Sequence, residues 1–122
     1  MTTALVIDDN REAADTIGSM LSYLNVEPQI AYGPRAAMLI LQDTKPDIVF
    51  MDINMPGVDG FEVLGYLRRF PQMQNTPVVF VTADSQPETA GRVRKTGALL
   101  IIIKPITMEG LETALRKAGL LK

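Results

Sequence analysis

The 122-residue sequence contains no cysteine and no histidine. Without cysteine there are no disulfides and no thiolate metal sites, a composition that fits a reducing cytoplasm. Without histidine there is no imidazole for zinc, for a hydrolase triad or for general-base work. Any chemistry must therefore come from carboxylates, lysine, threonine and a bound ion. A large charge of either sign is also missing, since 12 Lys and Arg against 14 Asp and Glu leave a formal net charge of -2. A slightly acidic domain is not drawn to polyanions, so direct binding to nucleic acid or to a membrane surface is not expected. No unbroken apolar run, Ala98 to Ile103 included, approaches the roughly 20 residues that span a bilayer. The N-terminus has no basic start and reaches Asp8 within a few residues, unlike a signal peptide. A soluble, cytoplasmic protein is the expectation.

What is present is enough apolar sequence, 47%, to build a real core in one domain spanning residues 1–122. Short apolar runs alternate with helical patterns five times. The runs are Leu5 to Ile7, a weaker one near Val26 to Ala31, Ile48 to Met51, Val78 to Val81, and Ala98 to Ile103. Most are continuous rather than alternating, as in parallel strands covered on both faces. Between them, Ala13, Ile17, Met20, Leu21 and Leu24 form one face of a first helix. Ala37, Met38 and Leu41 mark a second, with Pro34 in its first turn. A third follows Asp59, with Val63, Leu64, Leu67 and Phe70 inward and Glu62 at capping-box spacing. A fourth, after Pro87, has only Ala90 and Val93 as apolar anchors and stops at Gly97. A fifth starts at Thr107 and turns Leu111, Ala114, Leu115 and Ala118 inward. Repeated βα units joined by short links imply right-handed crossovers and one parallel sheet with helices on both faces.

In such sheets ligands sit beyond the carboxyl ends of the strands, where the strand order switches. That edge gathers Asp8 and Asp9 after the first run, Asp52 after the third, Thr82 after the fourth and Lys104 after the fifth. Three close carboxylates repel one another unless positive charge lies between them, and Lys104 supplies only part of it. An oxygen-only set of this kind suits Mg²⁺. Lys104 and the Thr82 hydroxyl are placed to hold oxygens of a phosphoryl group, and a carboxylate can itself accept one as an aspartyl-phosphate. Asp52 is the candidate nucleophile because it stands alone on a central strand, whereas Asp8 and Asp9 come as a pair. Each residue also has a plainer reading. Asp9-Asn10 can cap the first helix, Thr82 can be a strand-end hydroxyl, and Lys104-Pro105 can be a solvated turn.

Together these residues resemble one family. The segments Val6-Ile7-Asp8-Asp9-Asn10, Pro46 through Asp52 to Gly60, Val81-Thr82-Ala83, Gly97-Ala98 and Lys104-Pro105 look like those of a response-regulator receiver domain of two-component, phosphorelay signalling. The resemblance implies a flavodoxin-like, doubly wound (βα)5 fold with a five-stranded parallel sheet in the order 2-1-3-4-5. It implies that Asp52 accepts a phosphoryl group from the phosphohistidine of a partner histidine kinase or phosphotransfer protein. Asp9, Asp52 and the backbone carbonyl of Asn54 would hold Mg²⁺, with Asp8 helping through water, while Thr82 and Lys104 bind the phosphoryl oxygens. It further implies a cis Lys104–Pro105 bond. The positions that tune acyl-phosphate lifetime fall on Asn54 and Asp84. Such a domain assists its own phosphorylation and dephosphorylation but is not an enzyme acting on a separate substrate.

Two departures stand out. Where the family usually has a tyrosine or phenylalanine three residues before the lysine, this sequence has Ile101, stiff and ringless. The fifth strand, Leu99 to Ile103, is apolar throughout and is expected at a sheet edge. Either flanking helices cover it, or the face formed by the fourth helix, fifth strand and fifth helix docks a downstream protein or a second copy. Arg92, Arg94 and Lys95 divide the same way, between a solvated helix end and part of a docking patch. A pseudo-receiver acting as a phosphorylation-independent interaction module is the rival reading. A small aspartyl phosphatase ranks below it, because Asn54 stands where a second acid is needed and no cap segment is visible. No output segment follows the fifth helix, so output is expected through protein binding or from a domain outside this sequence.

Overall fold

The computed structural model describes residues 1–121. Its strands and helices alternate as β1 (Thr3–Ile7), α1 (Arg11–Tyr23), β2 (Glu27–Ala31), α2 (Pro34–Leu41) and β3 (Ile48–Asp52). A small antiparallel pair, β4 (Asn54–Met55) and β5 (Val58–Asp59), precedes α3 (Gly60–Leu67). Then follow a 3-10 turn (Pro71–Met73), β6 (Val78–Thr82), α4 (Pro87–Lys95), β7 (Leu100–Ile103) and α5 (Met108–Lys117). The main sheet is parallel, in the order β2-β1-β3-β6-β7. With the two-residue strands set aside, this is the expected 2-1-3-4-5 order. No helix among the described residues is long and apolar enough to cross a membrane.

The continuous apolar strands divide their side chains between two layers, because successive residues point to opposite faces. Leu5, Ile7, Val49, Met51, Val78 and Phe80 face α2, α3 and α4, where Ala37, Leu41, Val63, Leu67 and Val93 meet them. Ala4, Val6, Ile48, Phe50, Val79 and Val81 face α1 and α5, against Ala14, Ile17, Leu21, Leu111, Ala114 and Leu115. Each large side chain so buried contributes about 1.5–3 kcal/mol. The covering on both faces is what makes a run such as Ile48 to Met51 fully apolar.

The helices form where the spacing places them, with small shifts. In α1 the buried stripe runs through Ala14, Ile17, Gly18 and Leu21, while Ala13, Met20 and Leu24 are half-buried at its border. Gly18 brings α1 close to β2, since a Cβ there would lie 2.7 Å from Ile30 Cδ1. Asp59 caps α3 by accepting the Glu62 N–H at 2.9 Å, so one arm of the anticipated box is made. Phe70 lies beyond the end of α3 and is half-buried. The Thr107 hydroxyl caps α5 by accepting the Gly110 N–H at 3.0 Å. Gly97, just past α4, has φ +78°, a left-handed conformation that glycine adopts without strain.

Candidate functional site

The register of the sheet brings the chemistry to one edge. Ile7 pairs with Met51, Asp52 with Val81 and Thr82 with Ile103, so the residues that end each strand emerge together. Asp8 is buried, and its N–H extends the ladder by donating to Ala31 O at 3.1 Å. Its Oδ1 accepts the Asn10 N–H at 2.9 Å, and Asn10 in turn caps α1 by accepting the Ala13 N–H at 3.0 Å. The capping role weighed for Asp9-Asn10 therefore falls to Asn10, leaving Asp9 exposed at the rim of the cluster.

Asp52 is 8% exposed, and its Oδ1 accepts the Asn54 N–H at 3.2 Å. Gly60 lets α3 begin directly against it. A Cβ at residue 60 would lie 2.6 Å from the Asp52 carbonyl oxygen and 2.9 Å from Ile53 Cα, both backbone atoms that cannot step aside. The Gly60 N–H also donates to Ile53 O at 2.7 Å. The Lys104 ammonium bridges two of the acids, 3.2 Å from Asp8 Oδ2 and 3.4 Å from Asp52 Oδ2. Lys104 N–H is pinned to Thr82 O at 2.8 Å, and the Lys104–Pro105 bond is cis.

Asp8, Asp9 and Asp52 each offer an oxygen within 4.8 Å of the others. Burial is the main force raising the Asp52 carboxyl above its ordinary range; the Asp8 charge adds to it and Lys104 opposes it. For Lys104, burial disfavours the charge, but attraction to Asp52 and Asp8 outweighs it and the ammonium is raised. One ammonium against three carboxylates leaves the cluster short of positive charge. The donor set is all oxygen, which fits a hard divalent cation such as Mg²⁺.

Thr82 is fully buried, and its Oγ1 accepts the Asp84 N–H at 3.1 Å and the Asn54 Nδ2–H at 3.4 Å. Among the described residues the Thr82 hydroxyl makes no hydrogen bond to the side chains of Asp52 or Lys104, so it faces the cluster from beside it. Asp84 turns its carboxylate away, accepting the Gln86 N–H at 2.9 Å and the Thr89 hydroxyl at 2.6 Å. The bond from Thr89 was not anticipated from sequence; an Asp shortly before a proline-started helix is the only hint of it. Ile101 is half-buried in register with Phe80 and packs on the α2–α3–α4 layer. Arg92 lies over the Phe61 ring at 4.0 Å, whereas Arg94 and Lys95 are exposed. Two open grooves flank the cluster. One of about 570 Å³ runs along α1 past Asn10, Ala13, Ile17, Lys104 and Ile106, and one of about 520 Å³ past Asp9, Tyr32, Leu39, Met55 and Pro56.

Known proteins carry the same arrangement of elements. Regulatory protein AtoC of Escherichia coli (strain K12) is 31% identical over 114 residues, covering 93% of this chain and 24% of that protein. A positive alginate biosynthesis regulatory protein of Pseudomonas aeruginosa is 36% identical over 120 residues, covering 94% of this chain and 46% of that protein. The chain thus spans less than half the length of either relative. Among solved structures, the chemotaxis protein CheY4 of Vibrio cholerae superposes with a TM-score of 0.90 at 27% identity, over 97% of this chain and 98% of that one. The receiver domain of Francisella response regulator 1452 gives 0.83 at 25% identity, over 98% and 96%. The family described as response regulator receiver domain matches residues 4–116, across the whole sheet and the acidic edge. The chain belongs to the response regulator receiver domain family.

Proposed function

We propose that this domain is a phosphorylation-dependent signalling switch that accepts a phosphoryl group on Asp52 from the phosphohistidine of a partner kinase or phosphotransfer protein. The observation that supports it best is the cluster itself: Asp8, Asp9 and Asp52 within 4.8 Å, with Lys104 reaching both Asp8 and Asp52. In the transfer, an Asp52 oxygen forms a bond to phosphorus as the donor's nitrogen–phosphorus bond breaks. The imidazole leaves with the electron pair and takes up a proton. The donor must come from outside, since this chain has no histidine.

Asp9, Asp52 and the Asn54 carbonyl, with Asp8 alongside, are the residues that would hold Mg²⁺, and the ion would supply positive charge to the phosphoryl oxygens as transfer proceeds. Lys104 holds its ammonium against Asp52 and is positioned to stay with the phosphoryl group once Asp52 carries it as an acyl phosphate. Thr82, with its hydroxyl beside the cluster, would donate to another phosphoryl oxygen. The open flanks along α1 leave room for a protein donor to approach.

Output would pass through a changed surface on α4, β7 and α5, to a downstream protein or a second copy, in the cytoplasm. Ile101 favours a second reading, the phosphorylation-independent module, because no ring stands there to swing with Thr82. Intact mass after incubation with Mg²⁺ and acetyl phosphate separates the two. A phosphoryl adduct that needs Mg²⁺ and is absent from Asp52→Asn is the expected result. No adduct, and no beryllofluoride binding, would replace the switch by the module.

A further inference from the structure

Asp84 is joined to the phosphoryl site by its backbone and to α4 by its side chain. Its N–H donates to Thr82 Oγ1 at 3.1 Å, while its Oδ2 accepts from the Thr89 hydroxyl at 2.6 Å. The Thr89 bond reaches past the helix cap into the first turn of α4. Gln86, the residue at the cap, makes no side-chain capping bond there, and α4 has Val93 as its buried side chain. A polar tie therefore does much of the work of fixing this end of α4.

We propose that Thr89 is a positioning residue: its hydroxyl holds the Asp84 carboxylate on α4 and away from an acyl phosphate on Asp52, and so sets how long the phosphoryl group survives. The proposal rests on phosphorylation of Asp52. In hydrolysis, a water oxygen forms a bond to phosphorus, the bond from phosphorus to Asp52 breaks, and the Asp52 carboxylate keeps the electron pair. The proton lost by the water needs an acceptor. Asp8 is bonded to Lys104 and the Asn10 N–H, Asp9 belongs to the cation cluster, and the chain holds no histidine. A carboxylate swung in from the neighbouring loop would be a new base. The bonds from Thr89 and Gln86 withdraw that carboxylate, and they also lower its basicity.

Because Thr89 lies within α4, displacement of the first turn would release the carboxylate. A partner that moves this turn would therefore shorten the signal, and one that clamps it would prolong the signal.

The test compares wild type with Thr89→Val, Thr89→Ser and the double variant Thr89→Val with Asp84→Asn. Each is phosphorylated with acetyl phosphate and Mg²⁺, desalted rapidly, and followed by intact mass as the adduct decays. Thr89→Val is expected to lose its phosphoryl group at least about threefold faster, below the 10²–10⁴-fold of a fully aligned base. Thr89→Ser keeps the hydroxyl and should match wild type. The double variant keeps an oxygen for the Gln86 N–H but cannot take a proton, and should return to the wild-type rate. Uptake of the group by each variant reports an intact site, and Thr89→Ala substitutes should valine crowd the turn. Equal decay in wild type and Thr89→Val, or fast decay persisting in the double variant, would overturn the proposal. Absence of any adduct in wild type is a different result, which removes the phosphorylation reading and this proposal with it.

Discussion

α4 and α5 cover opposite faces of the same edge strand, yet they are held by different forces. α5 buries Leu111, Ala114 and Leu115 completely and starts on the Thr107 cap. α4 buries Val93 alone, and its first turn is held by the Thr89–Asp84 bond. Burial of one large apolar side chain contributes about 1.5–3 kcal/mol, whereas a typical hydrogen bond contributes about 0.5–1.5 kcal/mol net. A helix fixed mainly by polar ties can be shifted by an event of comparable energy, such as recruitment of one hydroxyl by a phosphoryl group. The lesson is that scaffold and moving part are separated by how much apolar surface each helix commits to the core.

The strongest way to break this comparison is to remove core contacts from each helix. Leu111→Ala is expected to cost about 2–5 kcal/mol, the range for a buried leucine whose cavity closes incompletely. Val93→Ala should cost about 1–2 kcal/mol, since less surface is lost and α4 can settle inward. Urea denaturation of both variants measures the difference. Equal losses would mean that α4 is as firmly packed as α5, and the assignment of α4 as the movable helix would fail.

A second experiment separates global from local stability. Asp52 has its carboxyl raised in the folded state, chiefly by burial. The folded protein therefore binds that proton more tightly than the unfolded chain, and stability falls as pH rises from the unfolded value through the folded one. Above the folded value the full cost is present. Asp52→Asn should raise the melting temperature of the metal-free protein there, since the amide carries no charge to desolvate. The gain should shrink as the pH falls and vanish well below the unfolded value of about 3.9, where both states are protonated. Amide exchange should slow in α4 and α5 together, leaving α4 the faster. If slowing were confined to α4, the strain at Asp52 would already be routed to that helix.

Most of the architecture was legible in the sequence for a physical reason. Parallel strands covered on both faces must be apolar throughout, and the residues that end them must face the ligand edge. That logic placed Asp8, Asp9, Asp52, Thr82 and Lys104 at one edge before any coordinates, and the register brings them there. What escaped were features decided by tertiary approach rather than by local pattern. The β4–β5 pair consists of two-residue strands, too short for any periodicity. Gly60 reads as a turn glycine, whereas the structure uses it for contact with the backbone of Asp52 and Ile53. The orientation of Asp84 depends on Thr89, and no spacing rule announces a bond from a loop carboxylate into the following helix. Ile17 and Leu21 lie on the buried stripe of α1 as their spacing implies, but Gly18 and Ala14 join them rather than Ala13 and Met20, because the close approach of Gly18 to Ile30 centres the stripe there.

The smallest predicted effect concerns the other tie on α4. Arg92 sits over Phe61 at 4.0 Å, and the Phe61 ring lies 5.1 Å from that of Phe80, tilted by 44°. Phe80 pairs with Met51 and Ile101 in the sheet, one residue before the Asp52–Val81 pair. The column thus runs from an exposed cation on α4 to the strand beside the acceptor. An exposed cation–π contact contributes about 0.5–1 kcal/mol, so Arg92→Ala should lose that much and Arg94→Ala almost nothing. A double-mutant cycle of Arg92→Ala with Phe61→Leu isolates the pair from the packing lost by each change alone. A coupling energy near zero would leave Thr89 as the principal polar tie, and α4 would then pivot about its first turn. A coupling of the expected size means that α4 is fastened at its first turn and again one turn later, so release of Thr89 alone would swing the helix about Arg92 rather than detach it.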